Sequence, residues 1–279
     1  MPIPVVPMTP AALLPTGPLR RIGTKVTCLH EIDSTNSAMM REARQLPDGA
    51  VLFAEFQTAG RGRFSRRWSA PAHSSILLSI LLREPAHSPL IAQITMIAAR
   101  AMCQSIRDQA GCDCRIRWPN DLLIQARKVG GVLAQTQTAL NPQGREVVVG
   151  IGVNCFQRNE DFPPEIRSRA TSLAIVSDDV PRREALAADF LARFDEEIAA
   201  CHPPRHSSRN EQTLDLAADH WLAYCADVGK DITLRVQNKL VRGTVLGCTL
   251  TGDLLLRNDD GTEIFIEAST ASRVEASEE

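Results

Sequence analysis

The sequence predicts an α+β fold, with one large mixed domain and a small all-β unit at its carboxyl end. Short apolar runs bounded by loop residues predict strands through the middle of the chain, and apolar residues at helical spacing predict helices that flank them. After Val228 the pattern changes to short alternating strands separated by turn residues. A chain of 279 residues, 44% hydrophobic and 23% charged, is long enough for one large core and a second, smaller domain.

Alternation and β-branched residues predict the first strand over 25–32, and the polar triplet Ser34, Thr35 and Asn36 follows it almost at once. A helical pattern, "SAMMREARQL", comes next. Serine, threonine and asparagine are good N-cap residues, so we expect these side chains where a strand ends and a helix begins.

The remaining elements follow from the same two patterns. The sequence predicts strands over 50–56 and 74–82, a helix over about 89–109, a run of strands between 114 and 154, and helices over about 182–200 and 209–226. The strands after Val228 predict a small barrel, which would be marginal alone and so should pack against the larger domain. The expected organisation is a proline-rich segment 1–24, a mixed domain 25–227 and a β-domain 228–279.

Composition argues against several classes of protein. A formal net charge of -2 and a pI of about 6.3 are unlike those of a general nucleic-acid or membrane-surface binder, which usually carries a broad basic face. The opening segment has no basic start and is broken by prolines, so we expect neither a signal peptide nor a membrane span. Eight cysteines without paired two-residue spacing predict free thiols in a reducing compartment, the cytoplasm, and no metal site.

The stretch "GRGRFSRRW", residues 60–68, concentrates positive charge on flexible backbone. Its glycines, Gly60 and Gly62, allow close approach to a ligand, and arginines such as Arg61 and Arg63 offer planar donors suited to phosphate or carboxylate. The spacing is not that of a Walker loop. We expect the loop to fold over an anion; from these residues alone, a solvated basic hairpin tip is the alternative.

Three further motifs place polar residues at strand ends. In "RWPND", Asn120 and Asp121 either form a simple turn or present oxygens that hold Mg²⁺ or orient an amine. In "KVGG", Lys128 lies in an apolar strand, where a charge is costly without an anionic partner, and two glycines leave room beside it. The strand "GIGVN" ends in Asn154.

The order of these motifs resembles the biotin protein ligases, from about residue 26 to the carboxyl end. The matching blocks are "EIDSTN", "FQTAGRGR", "RWPNDLLI", "KVGGVL", "VVGIGVN" and "PPEIRSRATSL". The resemblance implies a class II synthetase-like mixed β-sheet with helices and an SH3-like carboxyl-terminal domain. It also implies a two-step reaction, in which biotin and ATP form biotinyl-5'-adenylate and a lysine of a carboxyl carrier domain then takes the biotinyl group.

The resemblance also implies roles for particular residues. The triplet at 34–36 and Gln57 would satisfy the polar atoms of biotin's ureido ring. Arg61, Arg63 and Lys128 would neutralise the carboxylate and α-phosphate, with Mg²⁺ on the leaving pyrophosphate, and Asp121 would accept a hydrogen bond from the incoming amine. Four more residues are expected to line the ligand site: Gly62, Trp68, Asn120 and Asn154. Trp68 would pack on adenine, although a core aromatic is the alternative.

The chain departs from the family pattern at four positions. Phe64 and Ser65 replace a second Arg-Gly pair in the arginine loop, which puts in doubt how flexible that loop is. Arg117 stands where a lysine is common, which keeps the charge but alters hydrogen-bond geometry. Gln135 stands where a glutamate is frequent, and the sequence suggests no role for it.

Two other functions remain as alternatives. A lipoate ligase shares the fold and the adenylate chemistry, but the polar triplet and "GRGR" favour biotin. A non-catalytic nucleic-acid-binding protein is the remote alternative, and the balanced charge outside the loop argues against it. About 25 residues precede the first strand, too few for a packed helix-turn-helix unit, so we expect no DNA binding. Whether the protein forms a homodimer is left open.

Overall fold

The computed structural model describes residues 7–15, 17, 19–139, 143–201, 222–249 and 252–274. Within them the helices are α1 Pro10–Leu13, α2 Thr35–Glu42, α3 Leu90–Ala110, α4 Leu173–Val176 and α5 Arg183–Ala200. The strands are β1 Val26–Ile32, β2 Val51–Gln57, β3 Ser75–Pro85, β4 Cys114–Arg117, β5 Asp121–Ile124, β6 Arg127–Thr138, β7 Gly144–Asn154, β8 Asp231–Val236, β9 Lys239–Cys248, β10 Leu254–Arg257, β11 Glu263–Ile266 and β12 Ala271–Arg273.

Strands β1 to β7 form one mixed sheet in the order β1-β2-β3-β7-β6-β5-β4. β1 and β2 run parallel, and the other neighbouring strands run antiparallel. At its centre β3 pairs with β7 from Ser75 opposite Asn154 to Pro85 opposite Gly144. Both strands are almost entirely buried, as their continuous apolar runs predict. The predicted α+β class and mixed sheet are confirmed.

Helices α3 and α5 pack against each other, and α3 also packs against β4 and β6. Apolar side chains at helical spacing bury one face of α3 in the core. The helix ends at Gly111, which adopts a left-handed conformation with φ 63° and donates its N–H to the carbonyl of Arg107. The helices predicted over 89–109 and 182–200 correspond to α3 and α5. The helix predicted over 209–226 lies, as far as residue 221, outside the described residues.

Helix α5 also anchors the segment that leads into β1. Asp195, which is 2% exposed, accepts hydrogen bonds from the backbone N–H groups of Arg20 (2.6 Å), Arg21 (2.8 Å) and Ile22 (2.8 Å). Hydrogen bonds to an ionised carboxylate are stronger than neutral ones. One side chain therefore fixes three successive peptides where the mixed sheet begins.

A buried ion pair ties the start of α5 to the second strand. Arg183 Nη1 lies 2.6 Å from Glu55 Oε2, and Met8 donates its backbone N–H to Glu55 Oε1 at 2.6 Å. Burial acts to raise the pKa of Glu55, but its hydrogen bonds with Arg183 and Met8 lower it below the ordinary value. The carboxylate therefore stays ionised inside the protein.

The carboxyl-terminal strands form a five-stranded antiparallel sheet in the order β11-β10-β9-β8-β12. The all-β unit predicted after Val228 is therefore present. Trp118, in the loop between β4 and β5, joins this sheet to the mixed sheet. It donates its backbone N–H to Asp227 at 3.1 Å and its indole N–H to the carbonyl of Gly252 at 2.9 Å.

All eight cysteines are free. Burial raises the pKa of the Cys28 thiol to about 11 and that of Cys155 to about 12, so both stay protonated near neutral pH. In the part of the chain that the structure describes, no helix is both long and apolar enough to cross a membrane.

Replacing Asp195 by alanine should lower the free energy of unfolding by about 2–4 kcal/mol, because three backbone N–H groups lose their charged acceptor. Denaturant unfolding monitored by circular dichroism measures this. Asp189→Ala, on the same helix, is the matched control: Asp189 pairs with Arg193 in a partly exposed position, and its loss should cost less than about 1 kcal/mol. Equal costs for the two variants would contradict the anchoring role of Asp195.

Candidate ligand and active site

A cavity of about 340 Å³ opens beside the start of α2, the arginine loop and the strands of the mixed sheet. This size is within the usual range for small-molecule sites. The structure brings all twelve residues predicted for the site to this one cavity: Ser34, Thr35, Asn36, Gln57, Arg61, Gly62, Arg63, Trp68, Asn120, Asp121, Lys128 and Asn154.

The junction of β1 and α2 has the predicted cap. Ser34 is the N-cap residue, with extended backbone, and its Oγ accepts a hydrogen bond from the N–H of Ser37. Thr35 and Asn36 begin the helix, and both are 4% exposed. The short polar side chains that start the helix therefore point into the protein beside the cavity.

A buried polar network connects this junction to the sheet. The N–H of Thr35 donates to Gln57 Oε1 at 2.7 Å, and Thr35 Oγ1 lies 3.1 Å from the same oxygen. Ser79 Oγ lies 2.8 Å from Thr35 Oγ1 and 2.6 Å from Asn36 Oδ1. Asn36 Nδ2 donates to the carbonyl of Leu133 at 3.1 Å and to Gln135 Oε1 at 3.0 Å.

This geometry changes two expectations from the sequence. Each polar atom of Asn36 has a protein partner, so the residue holds α2 against β3 and β6 in the structure rather than presenting free groups to a ligand. Gln135, for which the sequence suggested no role, accepts a hydrogen bond from Asn36. A side chain that looked like a ligand contact is thus fully engaged by the protein.

Two glycines of β7 make room for side chains of the site. A Cβ added at Gly150 would overlap Asn36 Oδ1, and one added at Gly152 would lie 2.8 Å from Trp68 Cε2. The indole of Trp68 therefore lies close to the backbone of β7, and its buried Nε1 has no hydrogen-bond partner among the described residues. The glycines of "GIG" thus permit the close approach of one residue from α2 and one from the arginine loop.

Lys128 has the anionic partner that its apolar strand requires. Its Nζ lies 2.5 Å from Asp121 Oδ1, while Arg117 Nη2 lies 2.9 Å from Asp121 Oδ2. Burial acts to raise the pKa of Asp121, but the charges of Lys128 and Arg117 lower it below its ordinary value. Asp121 is therefore an ionised carboxylate, and both of its oxygens are paired with cations, in contrast to the free oxygens that its position at a strand end suggested.

The arginine loop is a closed hairpin of backbone bonds. Gly62 donates its N–H to the carbonyl of Arg66 at 2.7 Å, and Trp68 donates to the carbonyl of Gly60 at 3.0 Å. Phe64 and Ser65 at its tip have positive φ angles of 52° and 60°, a conformation that favours glycine, and Phe64 is exposed. Phe64 and Ser65 therefore both place a side chain in strained backbone, and at position 65 the glycine of the family pattern would avoid that strain.

Arg63 reaches from this loop to the carboxyl-terminal unit. Its Nη2 donates to the carbonyl oxygens of Ala268 and, at 3.2 Å, Ala271. Burial lowers the pKa of the Arg63 guanidinium below its ordinary value, against the opposing charge of Asp121. An arginine has no uncharged form at physiological pH, so it remains a cation held by neutral carbonyl groups.

The other two asparagines of the site also bind the protein. Asn120 Nδ2 donates to the carbonyl of Val132 at 2.8 Å. Asn154 Nδ2 donates to the carbonyl of Thr171 at 3.0 Å, and its Oδ1 accepts from Gln157 Nε2 at 2.9 Å. Both residues line the cavity, but these amides fix its walls. Among the described residues, no group of three or more His, Cys, Asp and Glu side chains is arranged to hold a metal ion.

Sequence reasoning missed several residues that line the cavity or support its walls. Ser79 was detectable as a polar residue in the apolar run "SSILLSILL". Arg169, in the "PPEIRSRATSL" block, lines the cavity, and its carbonyl oxygen accepts a hydrogen bond from the backbone N–H of Lys128 at 2.7 Å. Ser272 and Arg273 come from β12. No local signal predicts those two, because only the packing of the terminal sheet brings them to the cavity.

The cavity is strongly cationic although the chain has a net charge of -2. Asp121 is the one carboxylate among the described residues that line it. Eight cations surround it: Arg61, Arg63, Arg66, Arg67, Arg117, Lys128, Arg169 and Arg273. Such a surface attracts a ligand with several negative charges. The neutral amide and hydroxyl groups near α2 suit an uncharged polar group instead.

Comparison with known proteins identifies the relatives of this chain. Residues 29–154 match the model of the Biotin/lipoate A/B protein ligase family. The chain is 32% identical over 239 residues to the bifunctional ligase/repressor BirA of Bacillus spizizenii, which covers 86% of this chain and 68% of the relative. It is 29% identical over 248 residues to the "Biotin--[acetyl-CoA-carboxylase] ligase" of Paracoccus denitrificans, covering 85% of this chain and 96% of that one.

The fold is similar to that of a solved structure, the biotin protein ligase from Aquifex aeolicus in complex with biotin and ATP. The TM-score is 0.72 with 23% sequence identity, and the match covers 91% of this chain and 100% of that chain. At this identity the comparison shows a shared fold.

Gly150→Ala should lower the free energy of unfolding by about 2–3 kcal/mol, because the new methyl group overlaps Asn36 and breaks the polar network. Gly131→Ala is the matched control, since a Cβ there meets its nearest neighbours at 3.5 Å, an ordinary contact. Thermal and denaturant unfolding measure both. If Gly150→Ala is as stable as Gly131→Ala, Asn36 is not held as described.

Replacing Lys128 by methionine should raise the pKa of Asp121, because one of its two cations is lost while its burial remains. In the wild type the folded pKa lies below the ordinary 3.8, so the pairing stabilises the fold above that pH and the effect is lost as the pH falls through the folded pKa. The loss in free energy of unfolding caused by Lys128→Met should therefore be greatest at pH 7 and should decrease towards pH 3.

Carbon NMR of the Asp121 carboxyl group, together with unfolding measured across this pH range, tests the expectation. The exposed Lys239 supplies the control variant Lys239→Met, which should leave the pKa of Asp121 unchanged. An unchanged pKa in Lys128→Met would show that the contact does not hold the carboxylate ionised.

Proposed function

This chain belongs to the biotin protein ligase family, and we propose on that basis that it activates biotin with ATP as biotinyl-5'-adenylate and then transfers the biotinyl group to a lysine of a biotin carboxyl carrier domain. The observation that carries the proposal is the chemistry of one cavity. Neutral hydrogen-bonding groups line it beside α2, and eight cations line it elsewhere. A neutral polar ring joined to an anionic group matches both parts.

The groups beside α2 suit the ureido ring of biotin. That ring has one carbonyl acceptor and two N–H donors. Ser34 and Thr35 offer hydroxyl groups, and Gln57 offers an amide beside them. Asn36 supports the proposal indirectly, because its contacts with Ser79, Leu133 and Gln135 hold Thr35 in place. Leu77, Leu78 and Ile151 supply apolar lining for the rest of the ligand.

The cations suit the first chemical step. An oxygen of the biotin carboxylate attacks the α-phosphorus of ATP, the bond to the bridging oxygen breaks, and pyrophosphate leaves with the electron pair. Arg61, Arg63 and Lys128 reduce the repulsion between the two anions and stabilise the charge that builds on the phosphate oxygens. In this proposal Lys128 exchanges its contact with Asp121 for one with the ligand. Gly62 lets the backbone of the loop approach the phosphates.

The second step needs an uncharged amine. The carrier lysine attacks the carbonyl carbon of the mixed anhydride, and AMP leaves as the amide forms. Asp121 is ionised in the free protein, and once Lys128 has moved to the ligand its Oδ1 can accept a hydrogen bond from the incoming amine. Asn120 and Asn154 support this step by fixing the cavity walls through their bonds to Val132 and Thr171.

The described residues of the cavity offer few ligands for Mg²⁺. The one carboxylate among the described residues that line the cavity, Asp121, has both oxygens paired with cations. Mg²⁺ prefers oxygen ligands and retains much of its water. The ion would therefore enter on the phosphates of ATP, where it would reduce the charge of the leaving pyrophosphate.

We also propose a domain organisation, a contact with adenine, a cellular location and a partner. Residues 25–227 form the catalytic domain, with a class II synthetase-like sheet, and residues 228–279 form an SH3-like domain. Trp68 packs on the adenine after it leaves its position against Gly152. The enzyme acts in the cytoplasm, where a carrier domain of a biotin-dependent carboxylase is its partner.

Lipoate is the second candidate substrate, because the matched family includes lipoate ligases. Its dithiolane ring has neither an N–H nor a carbonyl group, so it would offer no hydrogen-bond partner to the Thr35 hydroxyl or the Gln57 amide. A buried polar site discriminates strongly against a ligand that cannot satisfy it. Biotin is therefore the better match, and isothermal titration with both vitamins compares them directly.

Purified protein should exchange labelled pyrophosphate into ATP when biotin and MgATP are present and no carrier is added, because the groups assigned to the first step all lie in this chain. Lipoate in place of biotin should give no exchange above background. A protein that binds ATP but shows no biotin-dependent exchange would contradict the proposed reaction.

Lys128→Ala should reduce the exchange rate by about a hundredfold or more while the fold is retained, since a cation next to two reacting anions is lost. Lys128→Arg keeps the charge and should retain more of the rate than alanine does. Lys239→Ala, at an exposed position in the other sheet, should behave as wild type. A folded Lys128→Ala protein with wild-type exchange would remove Lys128 from the mechanism.

A further inference from the structure

Three contacts between side-chain oxygens in the buried network share only two hydroxyl protons. Ser79 Oγ lies 2.6 Å from Asn36 Oδ1 and 2.8 Å from Thr35 Oγ1, and Thr35 Oγ1 lies 3.1 Å from Gln57 Oε1. The two hydroxyl groups each supply one proton, and the two amide oxygens can only accept. One contact between oxygens must therefore lack a proton.

Backbone groups fix which amide atom is oxygen. The side-chain atom of Asn36 that faces the carbonyl of Leu133 must be the nitrogen, so Oδ1 faces Ser79. The side-chain atom of Gln57 that faces the N–H of Thr35 must be the oxygen. The hydroxyl of Ser79 consequently donates its proton to Asn36 Oδ1. The amide oxygen has no proton of its own, so a 2.6 Å contact between the two oxygens requires the proton of Ser79.

The proton of Thr35 has two possible acceptors. The distance of 2.8 Å to Ser79 Oγ is typical of an O–H···O hydrogen bond, whereas 3.1 Å to Gln57 Oε1 lies outside the usual range. Thr35 therefore donates to Ser79. Its Oγ1 and Gln57 Oε1 are then two neighbouring acceptors at the cavity with no hydroxyl proton between them.

We propose that Ser79 is a positioning residue that, by accepting the proton of Thr35, turns the Thr35 hydroxyl into an acceptor and so selects a ligand with an N–H donor. Ser79 does not itself line the cavity, and it lies opposite Gly150 in the sheet. The ligand N–H supplies the donor that the network lacks. The inference rests on the proposed function, in which this donor is a ureido N–H of biotin.

The same contacts indicate which group binds the carbonyl oxygen of the ureido ring. Gln57 Oε1 is held by the N–H of Thr35, which fixes the amide, and its Nε2 has no hydrogen-bond partner among the described residues. A donor beside two acceptors is complementary to a carbonyl beside an N–H. The site therefore discriminates a cyclic urea from a ring in which oxygen replaces the nitrogen.

The test compares biotin with its two cyclic-carbamate analogues, in which one or the other ureido N–H is replaced by a ring oxygen. Binding is measured by isothermal titration to the wild type, Ser79→Ala and Ser75→Ala. Ser75 lies on the same strand, is equally buried and accepts a side-chain hydrogen bond from Gln157, but does not line the cavity, so it is the matched control.

The wild type should bind biotin about 30-fold or more tightly than the analogue that places oxygen at Thr35. In Ser79→Ala the Thr35 proton is free to turn towards Gln57 or the ligand, so this ratio should fall about tenfold, mainly through weaker binding of biotin. Ser75→Ala should keep the wild-type ratio. In exchange kinetics, Ser79→Ala should raise the KM for biotin and leave the KM for ATP unchanged.

A Ser79→Ala protein that keeps the wild-type ratio, or weakens biotin and both analogues equally, would overturn the inference and reduce Ser79 to a packing residue. Should Ser79→Ala fail to fold, Ser79→Cys retains a weak donor and acceptor and should give an intermediate ratio; a wild-type ratio there would equally count against the proposal. A wild type that binds no biotin at all would instead refute the proposed function.

Discussion

The pairing of β3 with β7 is the constraint on which the rest of the site depends. Its register places Ser79 opposite Gly150 and Ser75 opposite Asn154. Because glycine leaves space at 150, Asn36 can lie over β7 and bond to β6. A shift of one residue would turn Ser79 to the opposite face and break the network. The apolar residues that bury these strands therefore also determine where the polar groups meet.

Electrostatic repulsion among the cations of the cavity destabilises the free protein, and the carboxylate of Asp121 reduces it. Eight like charges around a single space repel one another, and salt screens them only in part where they are buried. Asp121 pairs with Lys128 and Arg117 and offsets one of their two positive charges, and Arg63 bonds to backbone carbonyl groups of the terminal unit. These contacts act in the place of an anionic ligand. The same residues can change partner when a phosphate enters, so the site can be stable when it is empty and attractive to an anion.

The asparagines illustrate how a residue can belong to a site without presenting a free group to a ligand. Asn36, Asn120 and Asn154 all line the cavity, and all three use their amide nitrogens on backbone carbonyl groups. Leaving such carbonyl groups unpaired would cost free energy wherever they are buried. An asparagine at these positions donates hydrogen bonds to the backbone carbonyl groups of the cavity wall. The neighbouring hydroxyl or amide group then remains available for a ligand.

The sequence by itself determined the α+β class, the strands between residues 25 and 154 and the helices α3 and α5. Those features depend on local patterns: alternation, helical spacing and caps. The resemblance of its motifs to those of the biotin protein ligases implied the twelve site residues, and the structure brings them to one cavity. Only the tertiary structure decided that Asp121 is paired on both oxygens, that Gln135 and Ser79 hold Asn36 and Thr35, and that Arg273 reaches the cavity. These facts depend on which strands are neighbours and on how many protons two hydroxyl groups can share. A sequence motif predicts which residue types come together in the site. The direction of each hydrogen bond depends on partners that are distant along the chain.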